Sequence, residues 1–288
     1  MQKASSLPAS VRTEIKITGL HKAFRGQKVL RGIDLHIHRG DVLSILGGSG
    51  SGKTVLLNHI LSQFIPDAGS IRVVNHGAAD EPLVDLRVIG DFQLDEIHKH
   101  WGVVFQRNAL FSGTVLHNIG LWLREVKRLE EADVLPIVRQ SLIAVGLPQT
   151  DEFLSQPQES LSGGMAKRLA VARALAMDPK VIFCDEPTTG LDPVSSGQIH
   201  ELIHDMHHVQ GGRTTVIITH DKDLLSRLRP RIVLLHQGKV IFDGPFDEFE
   251  ASQSPIIRPY FEMMPTLQAR PIEMQDAQPS ARRRGLLI

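Results

Sequence analysis

A glycine-rich loop set between an apolar strand and an amphipathic helix constrains this sequence most. The segment before the loop, DVLSILG, predicts a short buried strand, and the apolar residues after it recur at helical spacing. The loop fits the phosphate-binding pattern G-x-x-x-x-G-K-[ST]. Its residues are Gly47, Gly48, Ser49, Gly50, Ser51, Gly52, Lys53 and Thr54. Because a flexible linker does not need such neighbours, the sequence predicts an α/β unit that binds a nucleotide.

The residue types of this loop suit a polyphosphate. Glycines let backbone N–H groups turn inward onto phosphate oxygens, and the helix that follows presents its positive end to the same anion. Lys53 adds a full charge near the outer phosphates, and the Thr54 hydroxyl is a ligand that Mg²⁺ prefers. Asp185 and Glu186 follow a second apolar run, VIFC. We expect Asp185 to hold Mg²⁺ through water and Glu186 to orient the attacking water.

The rest of the chain indicates an α/β core with a helical insertion. Two near-continuous apolar runs, VIFC (181–184) and TTVIIT (214–219), predict parallel strands that are buried on both faces. Residues 232–244 read as a hairpin that turns at Gln237-Gly238-Lys239. Residues 112–178 have mostly helical patterning, whereas the elements within 75–100 cannot be assigned from the sequence.

Composition excludes several classes of protein. The chain has 32 basic and 32 acidic residues, and this zero net charge argues against bulk binding to nucleic acid. A single cysteine, Cys184, cannot form an internal disulfide. The sequence has no apolar run of the roughly 18 residues that cross a bilayer, and MQKASSLPAS is not typical of an export signal. We therefore expect a globular protein of a reducing compartment.

A second glycine-rich turn, LSGGM, begins another predicted helix with Leu161, Ser162, Gly163, Gly164 and Met165. It resembles the LSGGQ signature of the ABC (ATP-binding cassette) ATPases. Further motifs similar to that family occur in the family's order, namely the adenine-stacking aromatic Phe24 in KAFRGQKVL, the Q-loop glutamine Gln106 in VVFQ, the D-loop aspartate Asp192 ending EPTTGLD, and the switch histidine His220 in VIITHD. The resemblance covers about residues 12–247. It implies an ABC-type P-loop NTPase fold with a mixed β core, a helical subdomain and an antiparallel β subdomain.

The resemblance also implies ATP and Mg²⁺ as cofactors and a homodimer that sandwiches ATP head to tail. In that arrangement Ser162, Gly163 and Gly164 of one copy meet the γ-phosphate held by the other, and Asp192 adds to the nucleotide site. Glu186 would act as the general base, and His220 would contact the γ-phosphate. Gln106 would be the third catalytic residue, sensing Mg²⁺ and the attacking water, and it would share the metal with Thr54 and Asp185.

Three segments resemble a narrower group, the Mla- and Mce-type ATPases of bacterial phospholipid transport. They are FQRNALF (105–111), LSGGMAKR (161–168) and SPIIRPYF (254–261). This resemblance implies a peripheral protein on the cytoplasmic face of the inner membrane. Its partners would be separate permease subunits and an Mce-domain protein, with no nucleic acid. The sequence departs from the family at Gly48, where proline is usual, and at Met165, where glutamine is usual.

Two other functions stay open at this point. One is an ATPase that powers the import of a small polar solute. The other is an ABC ATPase without a transport role that acts on DNA or ribosomes, which the neutral charge and the single cassette disfavour. The substrate itself would contact other chains, so this sequence does not identify it.

The predicted boundaries are a flexible N-terminus over 1–11, an ABC ATPase domain over 12–247 with its helical subdomain at about 112–178, and a C-terminal extension over 248–288 whose last part is disordered. Gln106 to Phe111 are expected to form part of a groove for a membrane subunit, with core packing of Leu110 and Phe111 as the alternative. We interpret Cys184, Trp101 and Trp122 as packing residues. The remaining histidines (His98, His100, His204, His207 and His208) are expected on the surface.

Overall fold

Two β-sheets and a group of helices make up the computed structural model, which describes residues 12–208 and 212–264. The strands are β1 (Thr13–Phe24), β2 (Gln27–His38), β3 (Val42–Leu46), β4 (Ala68–Val74), β5 (Leu83–Asp85), β6 (Trp101–Val104), β7 (Val181–Asp185), β8 (Thr214–Ile218), β9 (Arg231–His236) and β10 (Lys239–Pro245). The helices are α1 (Lys53–Ile60), α2 (Asp91–His98), α3 (Val115–Glu125), α4 (Glu131–Ala144), α5 (Asp151–Leu154), α6 (Gly163–Ala176), α7 (Pro193–His208), α8 (Lys222–Leu228), α9 (Phe246–Glu250) and α10 (Ile257–Glu262), with a 3₁₀ turn at Gln158–Ser160.

The larger sheet has six strands in the order β10-β9-β3-β8-β7-β6. The strands from β9 to β6 are parallel to one another, and β10 is an antiparallel edge strand. Alternate residues of β7 face opposite layers, because Val181 and Phe183 join one core cluster while Ile182 and Cys184 join another. This burial on both faces is why β7 and β8 read as apolar runs, and it confirms the predicted parallel strands. The hairpin predicted over 232–244 is formed by β9 and β10.

The smaller sheet is antiparallel and has the order β2-β1-β4-β5. Its inner residues, such as Ile15, Ile33 and Ile71, pack on α1 and on one face of the larger sheet. On the other face of the larger sheet, the helices between residues 112 and 178 pack around Ile119, Val138 and similar residues. The fold is therefore the predicted mixed β core with an antiparallel sheet and a helical layer. The segment 75–100, which the sequence did not resolve into elements, contains β5 and α2.

A third, smaller core connects the end of the described chain to the larger sheet. Phe246, Phe249 and Ile257 pack with Leu46 at the end of β3, and with Leu225 on α8. Part of the C-terminal extension is therefore built into the fold. The flexibility predicted for 1–11 and the disorder predicted for the last part of 248–288, from residue 265 onward, fall outside the described residues.

Some smaller expectations need correction. Cys184 and Trp101 are buried as predicted, but Trp122 is 42% exposed because it lies on the outer face of α3. His98 and His100 are partly buried rather than fully on the surface, since α2 packs them beside Trp101 and His76. The side chain of His208 lies outside the described part of the chain. Within residues 12–208 and 212–264, no helix has the length and apolar character to span a membrane.

Candidate functional site

The parallel strands bring four predicted site segments to one edge of the larger sheet. Ile45 of β3 and Asp185 of β7 both lie opposite Ile218 of β8, and Val104 of β6 lies opposite Cys184. The loops that follow these strands therefore leave the sheet side by side. The loop after β3 is the phosphate loop, and the loops after β8, β7 and β6 carry His220, Glu186 and Gln106, respectively. The carboxyl edge of a parallel sheet is where ligands bind in open α/β folds.

The phosphate loop has a shape that only glycine permits at two positions. Gly47 has φ 152°, and a Cβ there would lie 2.4 Å from Leu235 O. Gly52 has φ 105°, and a Cβ there would lie 2.8 Å from Leu30 Cδ2. The loop thus fits tightly between β2 and β9, with Lys53 beginning α1 directly after it. Backbone N–H groups at this helix start are available to an anion.

Two backbone carbonyls of the phosphate loop hold the Lys53 side chain. Its Nζ donates to Gly47 O at 2.7 Å and to Gly48 O at 3.2 Å. Burial lowers the pKa of Lys53, and the charges of Glu186 and Asp185 oppose that shift. The Ser51 hydroxyl is buried and has no hydrogen-bond partner among the described residues. A partly desolvated ammonium and an unpaired hydroxyl are both groups that phosphate oxygens would satisfy.

Glu186 and His220 form a direct pair beyond the ends of β7 and β8. His220 Nδ1 lies 2.9 Å from Glu186 Oε1 and 2.8 Å from Oε2. Glu186 has φ 47°, in the left-handed region. Its N–H donates to Ile218 O at 2.8 Å, which holds that backbone in place. Two of the three residues that the sequence predicted as catalytic, Glu186 and His220, are therefore within hydrogen-bond reach of each other; the third, Gln106, lies after β6.

Asp185 is the acid nearest the sheet. Burial raises its pKa, as does the adjacent Glu186 charge, while the positive charges of Lys53 and Lys167 oppose that rise. A buried carboxyl of this kind is short of cationic partners, which a divalent ion would supply. The Thr54 and Gln106 side chains are exposed, and with Asp185 they offer the hard oxygen donors that Mg²⁺ prefers. The residues present therefore fit a magnesium ion.

Two buried cations that the sequence motifs do not indicate donate hydrogen bonds to the Q-loop backbone. Lys167 is only 2% exposed, and its Nζ donates to Phe105 O at 3.1 Å and to Gln106 O at 2.8 Å. Arg173 donates to Ala109 O at 2.8 Å and to Asn108 O at 3.3 Å. Both cations belong to α6, the helix that the signature turn begins. A charged residue inside an otherwise Ala- and Leu-rich helical face was the available signal.

The signature turn caps α6 and contacts the start of α7. Ser162 Oγ accepts from the Met165 N–H at 3.3 Å, and Ser162 and Gly163 are exposed. A Cβ on Gly164 would lie 2.7 Å from Ser195 Oγ. Ser195 in turn donates to Asp192 Oδ2 at 2.6 Å, which lowers the pKa of Asp192. The signature and the predicted D-loop aspartate are therefore neighbours within one chain.

A buried network that the sequence did not indicate lies behind His220. Asp221 Oδ2 accepts from Thr188 Oγ1 at 2.8 Å and lies 2.7 Å from His200 Nε2. The same carboxylate caps α8 through the N–H groups of Asp223 and Leu224. This network joins α7, the loop after Glu186 and the loop that carries His220.

Phe24 lies near the end of the β1–β2 hairpin, whose Leu30 contacts the phosphate loop at Gly52. The Phe24 ring is 40% exposed, and it contacts Phe64 with ring centroids 5.5 Å apart. An exposed aromatic face on the hairpin beside the loop suits a base, so the adenine-stacking role stays a prediction.

Comparison with known proteins accounts for this arrangement. The ABC transporter family profile matches residues 30–189. The histidine transport ATP-binding protein HisP of Pseudomonas aeruginosa is 36% identical over 250 residues, which cover 85% of this chain and 96% of HisP. The chain belongs to the ABC transporter family. This confirms the resemblance inferred from the motifs, and the cassette is an ATP-binding, ATP-hydrolysing subunit of an ABC transporter.

Two further similarities bear on this cassette. Protein TRIGALACTOSYLDIACYLGLYCEROL 3 of Arabidopsis thaliana is 32% identical over 266 residues, covering 85% of this chain and 72% of its own length. The ATP-binding cassette MJ0796, solved as a post-hydrolysis dimer with ADP and Pi, has a TM-score of 0.70 and 28% identity. That match covers 81% of this chain and 98% of MJ0796.

Proposed function

We propose that this cassette powers phospholipid transport through a separate membrane permease, working as a homodimer on the cytoplasmic face of the inner membrane. The observation that carries the ATPase half of the proposal is the single sheet edge shared by the phosphate loop, the Glu186–His220 pair and Gln106. An Mce-domain protein is a further partner that the sequence resemblance suggests.

In this mechanism the phosphate loop binds the nucleotide, and Lys53 turns from the Gly47 and Gly48 carbonyls to the phosphates. Thr54, Asp185 and Gln106 would hold Mg²⁺, which neutralises charge on the phosphates when it is bound. Glu186 accepts a proton from the attacking water, and His220 orients Glu186 through their hydrogen bond. Phe24 stacks on the base.

The homodimer is supported by the exposure of the signature. Ser162 and Gly163 point outward from α6 while Gly164 packs on α7. The exposed hydroxyl and helix terminus are free to meet the γ-phosphate of a second copy, with Asp192 beside them. The dimeric state of MJ0796 with ADP and Pi is consistent with this arrangement.

A groove next to the Q-loop is the candidate permease site. It encloses about 810 Å³ and runs between α2, β6, α3 and α6. Its aromatic and apolar lining includes Phe92, Trp101, Phe105, Ala109, Phe111 and Trp122. Leu110, in contrast, packs against the helical core. Of the apolar residues considered for this contact, Ala109 and Phe111 therefore line the groove, whereas Leu110 supports the packing alternative.

The lipid substrate rests on the FQRNALF, LSGGMAKR and SPIIRPYF segments and on the similarity to a plant protein named after a galactolipid. The second candidate is amino-acid import, which the similarity to HisP favours. The two alternatives differ in what crosses the bilayer rather than in the ATPase site.

Purification of the tagged full chain from detergent-solubilised membranes tests the proposal. We expect a permease to co-purify, and the complex in proteoliposomes should move a fluorescent phospholipid in an ATP-dependent manner. The Glu186→Gln complex is the matched control and should assemble without moving lipid. ATP-dependent uptake of histidine without lipid movement would support import instead, and recovery of no membrane protein would contradict a transport role.

A further inference from the structure

The C-terminal helix α10 lies against the phosphate loop. A Cβ placed on Gly48 would lie 3.6 Å from Tyr260 Oη and 3.7 Å from its Cε1. Tyr260 Oη also lies 2.9 Å from Nδ1 of His236, the last residue of β9. The ring therefore covers the loop at the position where this chain has glycine, and its hydroxyl is anchored to the neighbouring strand.

Aromatic and cation–π contacts of Phe261 hold the same helix against its neighbours. Phe261 packs on Phe246 and Phe249 with ring centroids 6.1 Å apart in both pairs. Lys222 Nζ lies 3.9 Å from the centre of the Phe261 ring, a cation–π contact. Lys222 begins α8, two residues after His220. Thus α10 touches both the phosphate loop and the helix that follows the switch histidine.

Gly48 is the loop position whose hydrogen bond to Lys53 is expected to break when nucleotide binds. Its carbonyl accepts from Lys53 Nζ in the present state, and that ammonium is the group expected to turn to the phosphates. The Gly48 peptide then loses this donor, and the Tyr260 ring remains beside it to hold it. Because Tyr260 is held by His236 and by the third core, it keeps its place beside Gly48.

We propose that Tyr260 is a positioning residue of the phosphate loop, so that docking of the C-terminal segment and occupancy of the nucleotide site are coupled. The inference rests on the proposed role of residues 47–54. By linkage, a segment that stabilises the nucleotide-bound loop is itself stabilised by nucleotide.

Tyr260 is the only tyrosine in the chain, so 3-fluorotyrosine gives a single ¹⁹F label at this position in the full-length protein. We expect its resonance to shift on addition of Mg-ADP, and to stay unchanged in Lys53→Ala at the same nucleotide concentration. Calorimetry on the same samples measures nucleotide binding. Binding without a ¹⁹F shift would overturn the inference alone, whereas no binding by the unsubstituted chain would overturn the phosphate-loop assignment as well.

Substitutions provide the reciprocal test. Tyr260→Ala should raise KM for ATP about tenfold, as loss of both the packed ring and the hydrogen bond predicts, with kcat within about twofold. Tyr260→Phe keeps the ring and should raise KM only about threefold. Met263→Ala, which alters an 83% exposed side chain one residue past α10, is the control and should behave like the unsubstituted chain. An unchanged KM in Tyr260→Ala contradicts the proposal. If Tyr260→Ala has a lower melting temperature than the unsubstituted chain, the KM of Tyr260→Phe and the ¹⁹F shift test the proposal instead.

Discussion

At the scale of single residues, Lys53 is the side chain on which we expect nucleotide binding to depend most. We expect Lys53→Ala to weaken ATP binding roughly 10- to 100-fold, the effect of losing hydrogen bonds from a charged donor. The fold should be unaffected, because among the described residues the ammonium donates its hydrogen bonds to the loop carbonyls of Gly47 and Gly48. Calorimetric titration with ATP and thermal melting measure the two effects. Lys28→Ala, which removes a charge from an exposed position on β2, is the matched control. Equal ATP affinity in both variants would refute the role of Lys53.

Glu186 is expected to affect hydrolysis rather than binding. In Glu186→Gln the amide keeps the size of the side chain but cannot accept a proton from water. The hydrolysis rate should fall about 10²- to 10⁴-fold, the usual contribution of a general base. ATP affinity should be retained, and Mg-ATP should trap a dimer visible by size-exclusion chromatography. Normal hydrolysis by this variant would assign the base to another residue.

Sequence motifs identified the residues that would contact the nucleotide, but not those that support them. Lys53, Glu186 and His220 lie in short motifs of characteristic composition, so the sequence alone predicts their chemical roles. Lys167 and His200 act through partners that are distant in sequence, namely the Phe105 and Gln106 carbonyls and the Asp221 carboxylate. The residue type alone does not distinguish a buried lysine such as Lys167 from an exposed one. Only the tertiary structure shows which of them is desolvated.

At the scale of secondary-structure elements, substitutions can distinguish a residue that lines the groove between α2, α3 and α6 from one that packs into the core. Trp122 is of the first kind and Leu110 of the second. Trp122→Asp should leave melting unchanged and prevent co-purification of the permease, since this side chain lines the groove and is 42% exposed. Ile143→Asp alters an exposed residue of α4 that is 57% accessible, and it should retain the permease.

Leu110→Asp is expected to lower the melting temperature, because Leu110 packs against the helical core and moving a carboxylate from water into apolar surroundings is costly. Retention of the permease by Trp122→Asp would exclude the groove as its site. A normally melting Leu110→Asp would contradict the packing assignment.

The antiparallel sheet carries a buried ionic cluster that predicts a pH effect. His76 Nε2 lies 2.6 Å from Glu14 Oε1, and its Nδ1 lies 3.2 Å from Glu81 Oε1. Arg39 bonds to Glu81, and the His100 ring lies 5.9 Å from that of His76. Burial alone would lower the pKa of His76, but the hydrogen bond to Glu14 and its charge outweigh that effect and the pKa is raised.

Because the folded pKa of His76 exceeds the unfolded one, its contribution to stability is complete below the unfolded pKa. The contribution is lost as pH rises through the folded pKa. We expect His76→Gln to reduce the free energy of unfolding by about 1.5 to 3 kcal/mol at pH 6, the range for a hydrogen bond to a charged group. The difference should shrink at pH 9. Urea unfolding at the two pH values measures this, and a difference that grows with pH would contradict the raised pKa.

At the scale of the whole molecule, the sequence predicted the layers better than it predicted how the C-terminal segment joins them. The apolar runs of β7 and β8 and the β9–β10 hairpin follow from local patterning. The segment around 248–264 has no comparable periodic pattern in its sequence. Its aromatic residues nevertheless complete a core that reaches Leu46, the residue before the phosphate loop. Such a contact depends on tertiary packing and leaves no periodic pattern.

The strand order of the larger sheet also determines when, during synthesis on the ribosome, the nucleotide site can form. Val42 of β3 pairs with Thr215 of β8, and Leu43 pairs with Arg231 of β9. At about 5–20 residues per second, β3 is synthesised roughly 10–40 seconds before these neighbours. During that interval an apolar strand and its glycine loop have no sheet to join, which is the condition under which nascent chains recruit chaperones. ATP is therefore expected to stabilise only a chain that has been synthesised through β9, and a product that stops before β9 should gain no protection from the nucleotide.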